Sequence, residues 1–378
     1  MSTPLLRHLA AEDARRESLG LTRRLRDRDA DDLVDLAGND YLGLLRHPLV
    51  VRGAIEAVEA YGGGAGASRL VSGTLAVHAE LERRLAELTG AATGLALSTG
   101  YHANLSAVTA LADAGTTIVS DAHVHASLID AARLSRAAVV VARHNDVAHL
   151  AELVGSARTE RVLVLLESVY SVLGDAAPLA EILTATAGSG ATVLVDEAHG
   201  LGVVGERGEG LVASLGMKGR DDVVVTATLS KSLAAQGGAV LGPEAVRHHL
   251  VNAARPFIYD TGLAPAAAGA ALGALDALRE EPWRPGRLRE VMATVADAVS
   301  VPRPAGAVLS IPMPGPREAV DAVEAARRSG VRIGCFRPPS SPDGESRLRL
   351  TGHADLTEAQ VARAIEVLCQ VSGRRAVR

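Results

Sequence analysis

Between residues 93 and 242 short apolar runs rich in β-branched residues recur, and each is closed by small or polar residues and followed by a helical stretch. Strands are expected at 94–97, 117–119, 138–141, 162–166, 191–196, 223–225 and 239–241, with helices between most of them. This βαβα order leaves few architectures open. Parallel strands need crossover connections, and the crossovers place helices on both faces of one sheet. The expectation is an α/β fold on a large, mainly parallel sheet. In such sheets ligands sit beyond the carboxyl ends of the strands.

Two of those strand ends carry unusual residues. Val223 to Gly238 reads V-V-V-T-A-T-L-S-K-S-L-A-A-Q-G-G, with Lys231 among the hydroxyls of Thr226, Thr228 and Ser230. Burying an ammonium is costly. A lysine joined to an aldehyde as a Schiff base avoids that cost, and neighbouring hydroxyls suit a phosphate. The alternative is a surface lysine in a strand-to-loop turn. Ala191 to Gly200 reads A-T-V-L-V-D-E-A-H-G, a second apolar strand ending in Asp196 with His199 just beyond. A carboxylate for a pyridine nitrogen and a lysine for an aldehyde carbon are the two ends of a pyridoxal phosphate site.

Other strand ends add weaker signals. Gly100 and Tyr101 open a helix after a strand, where free N–H groups favour an anion. Ser72, Gly73 and Thr74 stand before the helix expected at 75–89, behind a glycine run at 62–66 that serves either as a linker or as a close approach to phosphate. His125 opens a helix where an imidazole can lie over a flat cofactor; a capping histidine is the plainer alternative. Ser171 follows another strand end. Arg347 and Arg349 alternate with leucines in R-L-R-L, so a buried face should give one of them an anionic partner, either a ligand carboxylate or a structural ion pair.

Rival chemistries are weaker. Gly200, Gly202 and Gly205 satisfy G-x-G-x-x-G after a strand, but the following G-E-R-G-E-G does not open a helix as a dinucleotide site requires. Among the histidines at 123, 125, 144, 149 and 199, H-V-H has a spacing that occurs in metal sites, but no H-E-x-x-H or cysteine pair accompanies it, and no metal is expected. A net charge of −5 gives no reason to expect nucleic acid. The longest apolar run, 262–275, contains Pro265 and is shorter than the roughly 20 residues a bilayer needs, so no membrane is expected. Two cysteines, Cys335 and Cys369, fit a reducing compartment, and the expected setting is cytoplasmic.

An Arg-rich amphipathic helix followed by a turn is expected over 5–28, with Arg23 and Arg24 in L-T-R-R-L, and Pro282, Pro285 and Gly286 mark a boundary. The expected organisation is an N-terminal helix and arm (1–45), a large α/β domain (46–283) and a smaller α+β domain (284–378). In the last of these, strands are expected at 308–311, 331–334 and 347–351, with helices at 318–329 and 357–371.

The runs N-D-Y-L-G-L, G-G-A-G-A-S-R-L-V-S-G-T, S-T-G-Y-H-A-N, H-A-S-L, E-S-V-Y-S, D-E-A-H-G, T-L-S-K, F-R-P-P-S and R-L-R-L-T span nearly the whole chain. Together they resemble the α-oxoamine synthases, fold-type I pyridoxal phosphate enzymes that join an amino acid to an acyl thioester. The resemblance implies a seven-stranded sheet domain with a smaller C-terminal domain and pyridoxal 5'-phosphate as cofactor. Within the family the chain looks most like the biotin-pathway member, which implies L-alanine and pimeloyl-CoA or pimeloyl-acyl carrier protein as substrates. Relatives using glycine or serine with another acyl-CoA are the alternative.

Residue by residue, the resemblance implies that Lys231 holds the cofactor aldehyde and moves the α-proton. Asp196 pairs with the ring nitrogen, His125 stacks on the ring and His199 bonds the ring hydroxyl. Gly100, Tyr101 and Thr228 hold cofactor from one side, with Ser171 close by. Arg349 takes the amino-acid carboxylate, and Arg23 and Ser340 contact substrate. Gly73 and Thr74 reach the phosphate of a neighbouring subunit, implying a homodimer with shared active sites. Asp260 and Ser340 depart from the commoner family residues, a hydroxyl residue and threonine, and bear on the acyl preference.

Overall fold

The computed structural model describes residues 3–27 and 33–374. Its strands run in chain order as β1 (Val34–Leu36), β2 (Thr93–Leu97), β3 (Thr116–Asp121), β4 (Ala138–Ala142), β5 (Arg161–Glu167), β6 (Thr192–Asp196), β7 (Val223–Thr228), β8 (Gly238–Gly242), β9 (Val308–Met313), β10 (Val331–Phe336) and β11 (Ser346–Thr351). Seven of them form one sheet in the order β2-β8-β7-β6-β5-β3-β4. Strands β3 to β7 are mutually parallel, and β8 runs antiparallel to both β7 and β2. The expected mainly parallel α/β sheet is therefore present.

The reason lies in the pattern of its central strands. β5, β6 and β7 are buried along almost their whole length, as continuous apolar runs must be when helices cover both faces. Leu163, Leu165, Leu194 and Val224 point into a core shared with Ala103, Ala107 and Leu128 of the helices Gly100–Leu111 and Ala126–Ser135. The alternate residues Val164, Leu166, Val193, Val195 and Val225 meet Leu81, Leu85, Ile182 and Ala271 from helices on the other face. Truncating a side chain such as Leu165, wholly buried here, costs about 2–5 kcal/mol.

On that second face the helices Pro48–Tyr61 and Pro265–Glu280 pack closely. A Cβ on Gly53, Gly269 or Gly273 would collide with the opposing backbone, so the glycines let the axes approach. The crossing leaves Val51, Ile55, Val58 and Tyr61 facing outward.

A second sheet, in the order β1-β10-β11-β9, carries its own core of Leu288, Val295, Ile311, Ile333, Leu348 and Val367. β1 lies parallel to β10, so a segment from the start of the chain completes the C-terminal sheet. We propose that the chain divides near residues 45 and 283, with β1 belonging structurally to the small sheet.

Several local expectations are corrected. The first helix is Pro4–Ser18, with no buried residue, and residues 21–27 are non-helical; residue 28 lies outside the described residues. Pro285 and Gly286 lie inside a helix, Arg284–Ala298, whose first turn tolerates the proline. A helix at Glu244–Ala253 and strand β1 also form where none was expected.

Candidate functional site

The carboxyl ends of the parallel strands converge on one cleft. Thr99, Gly100, Tyr101, Asn104, His125, Ser127, Glu167, Asp196, His199, Thr228, Ser230 and Lys231 line about 660 Å³ of empty space. Register explains the convergence: Glu167 pairs with Asp196 across β5 and β6, and Asp196 with Thr226 across β6 and β7. Lys231 follows β7 by three residues.

Asp196 is buried and held on both oxygens. Oδ1 accepts the Ala198 N–H at 2.8 Å and Oδ2 accepts Asn104 Nδ2 at 2.7 Å. Asn104 is itself fixed, since its Oδ1 accepts from Thr226 at 2.6 Å and its Nδ2 also donates to Ser127. Ser127 in turn lies 2.7 Å from Nδ1 of His125. This chain of bonds ties the carboxylate and the expected stacking histidine into one network.

Burial pushes the Lys231 amine down to about 8, against the pull of Asp196 and Glu167 and aided by Arg349. Burial lowers His125 too. Burial, then the cations Lys231 and Arg349, hold His199 well below the usual histidine range, so its ring is neutral. The phenol of buried Tyr41, pushed up to about 12 chiefly by burial, stands 2.7 Å from His199 Nδ1. Glu167 is buried beside the cleft; burial and then the Asp196 charge raise its carboxyl well above the ordinary range. Its Oε2 accepts the Ser171 N–H at 3.0 Å, and its Oε1 is buried without a hydrogen-bond partner.

At the other end of the cleft Thr99 caps the helix Gly100–Leu111, whose first N–H groups face the hydroxyls of Thr228 and Ser230, 2.7 Å apart. A Cβ on Gly100 would lie 2.8 Å from that of Thr228, so only glycine lets helix start and strand end meet. Donors for an anion at one end, a carboxylate at the other and an amine in the same cleft fit pyridoxal phosphate.

Ser171 and Arg349 join this site from one side. Arg349 is buried, donates from Nε to the Ser171 carbonyl at 2.7 Å and lies over the Phe336 ring. No carboxylate of a described residue pairs with it, whereas Arg347 pairs with Asp343. Arg23 and Ser340 come together, Nη2 to Oγ at 2.8 Å, but outside the cleft. Gly73 and Thr74 also lie outside it. The Thr74 hydroxyl accepts from Arg69 Nε, and a Cβ on Gly73 would strike the Ala67 carbonyl. Asp260 forms an ion pair with His102 at 3.4 Å. Among the described residues no group of histidines, cysteines and carboxylates could hold a metal ion, and no helix is long and apolar enough to cross a membrane.

Sequence reasoning passed over Asn104, Ser127, Glu167 and Tyr41 as site residues. Each lies in a run quoted above, but its own run gives no sign that the fold brings it beside Asp196, His125 or His199.

The sequence profile described as aminotransferase class I and II matches residues 31–368. An 8-amino-7-oxononanoate synthase of Mycolicibacterium gilvum is 51% identical over 364 residues, covering 96% of each chain. One from Mycobacterium leprae is 50% identical over 375 residues, covering 99% of this chain and 97% of its own. Among solved structures, a serine palmitoyltransferase from S. paucimobilis with PLP and myriocin bound superposes with a TM-score of 0.90 at 28% identity, covering 98% of this chain and 100% of its own. The 8-amino-7-oxononanoate synthase of Francisella tularensis, at 24% identity, shares the fold with a TM-score of 0.78 over 91% of this chain and 98% of its own.

Proposed function

The chain belongs to the aminotransferase class I and II family, and from that membership we propose that it carries out the reaction of the 8-amino-7-oxononanoate synthases to which it is similar. It is a pyridoxal phosphate-dependent acyltransferase of biotin biosynthesis. L-Alanine and a pimeloyl thioester condense to 8-amino-7-oxononanoate, releasing CO₂ and a free thiol. One observation carries this reading: Lys231, Asp196, His125 and His199 line a single cleft in a chain half identical, over nearly its full length, to enzymes of that name.

Pyridoxal phosphate, when bound, supplies an aldehyde for amines and a ring that accepts the electron pair left when a proton is removed beside the nitrogen. Every other part falls to the protein. Lys231 holds the aldehyde, and its weakly basic amine takes the α-proton of alanine and returns one after CO₂ has left. Asp196, oriented by Ala198 and Asn104, keeps the ring nitrogen protonated. His125 would pack on the ring, and neutral His199, oriented by Tyr41, would bond the ring hydroxyl. The helix start at Gly100 and Tyr101, with Thr228, takes the phosphate. Arg349 grips the alanine carboxylate with the part of its guanidinium that the Ser171 carbonyl does not use. Arg23 and Ser340 contact the acyl substrate as a pair.

The active unit is a homodimer. The outward residues Val51, Ile55, Val58 and Tyr61 of one helix, with exposed Leu45, Leu70 and Val71 in the segments on either side of it, support this, since exposed apolar surface of this kind marks a protein interface. Gly73 and Thr74 stand beside it and reach the partner's cofactor. The free thiols of Cys335 and Cys369 suit the cytoplasm.

The test is a matrix of alanine, glycine and serine against pimeloyl-CoA, pimeloyl-acyl carrier protein and palmitoyl-CoA, read by product mass. Alanine with a pimeloyl donor should dominate. A preference for serine or glycine with palmitoyl-CoA overturns the assignment.

A second expected result concerns cofactor loading. The nucleophile is the neutral amine, and Lys231 is protonated below its pKa of about 8. The rate at which cofactor-free protein takes up pyridoxal phosphate should therefore fall about 10-fold per pH unit below pH 8 and level off above it. Stopped-flow absorbance measures this, and a break near pH 10 would show an unperturbed amine.

A further inference from the structure

We propose that His144, which does not line the cleft, is a positioning residue for the amino-acid substrate, because it pins together the two loops that deliver His125 and brace Arg349. The inference rests on the functional reading above, in which Arg349 grips the substrate carboxylate.

His144 lies in the R-H-N-D turn after β4, with its side chain mostly buried. Nδ1 meets Asp121 Oδ1 at 2.9 Å and Nε2 meets Asp175 Oδ2 at 2.9 Å. With a carboxylate on each nitrogen, both nitrogens carry a proton and the ring is charged. Burial, the largest single influence, opposes that charge, but the hydrogen bonds the ring donates to Asp121 and Asp175, together with their negative charges, outweigh it and raise the pKa to about 9. The His123 ring stacks on it at 3.9 Å and 16°, and Tyr170 meets it edge-on at 4.4 Å.

The contacts fasten three loops. Asp121 ends β3 and also accepts the N–H groups of His123 and Asn145, at 2.8 and 2.9 Å. Two residues beyond His123 stands His125. Asp175 belongs to the loop after β5; it accepts Asn145 Nδ2 at 2.8 Å, and its carbonyl accepts the Tyr170 N–H. The next residue, Ser171, supplies the carbonyl on which Arg349 Nε rests. One ring thus sets the spacing between the loop that carries His125 and the loop whose carbonyl braces Arg349.

Stability alone explains this poorly. Replacing a buried ion pair or triad by apolar residues of similar volume is often neutral or stabilising. What a doubly held charge supplies is a single fixed geometry, and a guanidinium grips a carboxylate on two atoms only where its plane is held in place.

The test compares wild-type holoenzyme with His144→Gln and with Asp175→Asn, a milder change that leaves the Asp121 contact in place. For His144→Gln the KM for L-alanine should rise about 10-fold, while kcat and the KM for the pimeloyl thioester change less than about twofold. The visible circular dichroism of bound cofactor should weaken, because the His125 loop loosens. Asp175→Asn should shift both readouts in the same direction, by about threefold in KM. A folded His144→Gln with an alanine KM within about twofold of wild type and an unchanged dichroic band overturns the proposal. Equal rises in KM for both substrates also overturn it. If His144→Gln does not fold, Asp175→Asn decides by the same two readouts. Should wild type prefer glycine or serine, the functional reading fails, and the comparison made with that amino acid still decides the role of His144.

Discussion

Lys231→Ala should abolish turnover while leaving the protein folded. Lys231 and Lys218 are the only lysines in the sequence, and Lys218 does not line the cleft. No other amine can therefore hold the cofactor aldehyde there or move the α-proton. Losing both roles lowers kcat by about 10⁴-fold or more. Lys231 forms no ion pair with a described residue, and truncation removes an amine whose burial is itself unfavourable, so it costs at most about 1 kcal/mol of stability. Three measurements check the result: steady-state turnover, the melting temperature, and borohydride reduction followed by peptide mass mapping. Reduction should fix cofactor to the Lys231 peptide of wild type and to no peptide of the variant. Wild-type turnover by the variant would remove Lys231 from the mechanism.

Asp196→Asn should give the second largest loss, about 10³-fold in kcat with cofactor still bound. An amide cannot keep the ring nitrogen protonated. It also meets its surroundings badly, because Asp196 receives donors on both oxygens and the new N–H₂ group would face one of them. That mismatch costs about 1–3 kcal/mol, visible as a lower melting temperature. Glycine or alanine exchange of the α-proton, followed by NMR in D₂O, isolates the step from acyl transfer. Exchange at the wild-type rate would show that the carboxylate is not the partner of the ring nitrogen.

Much of the fold was legible because the strand signal is local. Runs such as R-V-L-V-L-L-E and V-V-V-T-A-T declare buried parallel strands, and they lie in the sheet as expected. Lys231, Asp196, His125 and His199 were legible because each follows such a strand, and the architecture brings strand ends together. Asn104 was not. Its role comes from a bond to Asp196 across 92 residues and another from Thr226 across 122, and no local pattern encodes either. Tyr41 reaches His199 across 158 residues for the same reason. The helix Arg284–Ala298 was hidden by Pro285 and Gly286, which read as a break until the proline is seen in a first turn. Gly73 is ambiguous on its own, since the packing of its loop against Ala67 demands glycine whatever else it touches.

The pairing of β1 with β10 bears on how the chain is made. Asp35 stands opposite Arg332, 297 residues later. At about 5–20 residues per second on the ribosome, the first strand waits roughly 15–60 s for its partner. Over that interval the large sheet can close around its own helices, while β1 remains outside with its hydrogen-bonding groups open. Synthesis of β10 is thus the earliest moment at which β1 can pair, and that pairing completes one edge of the small sheet. A ring-closing contact of this kind is slow to form. The small sheet therefore waits on a contact of long range, while the large sheet is built from strands that follow one another closely in sequence.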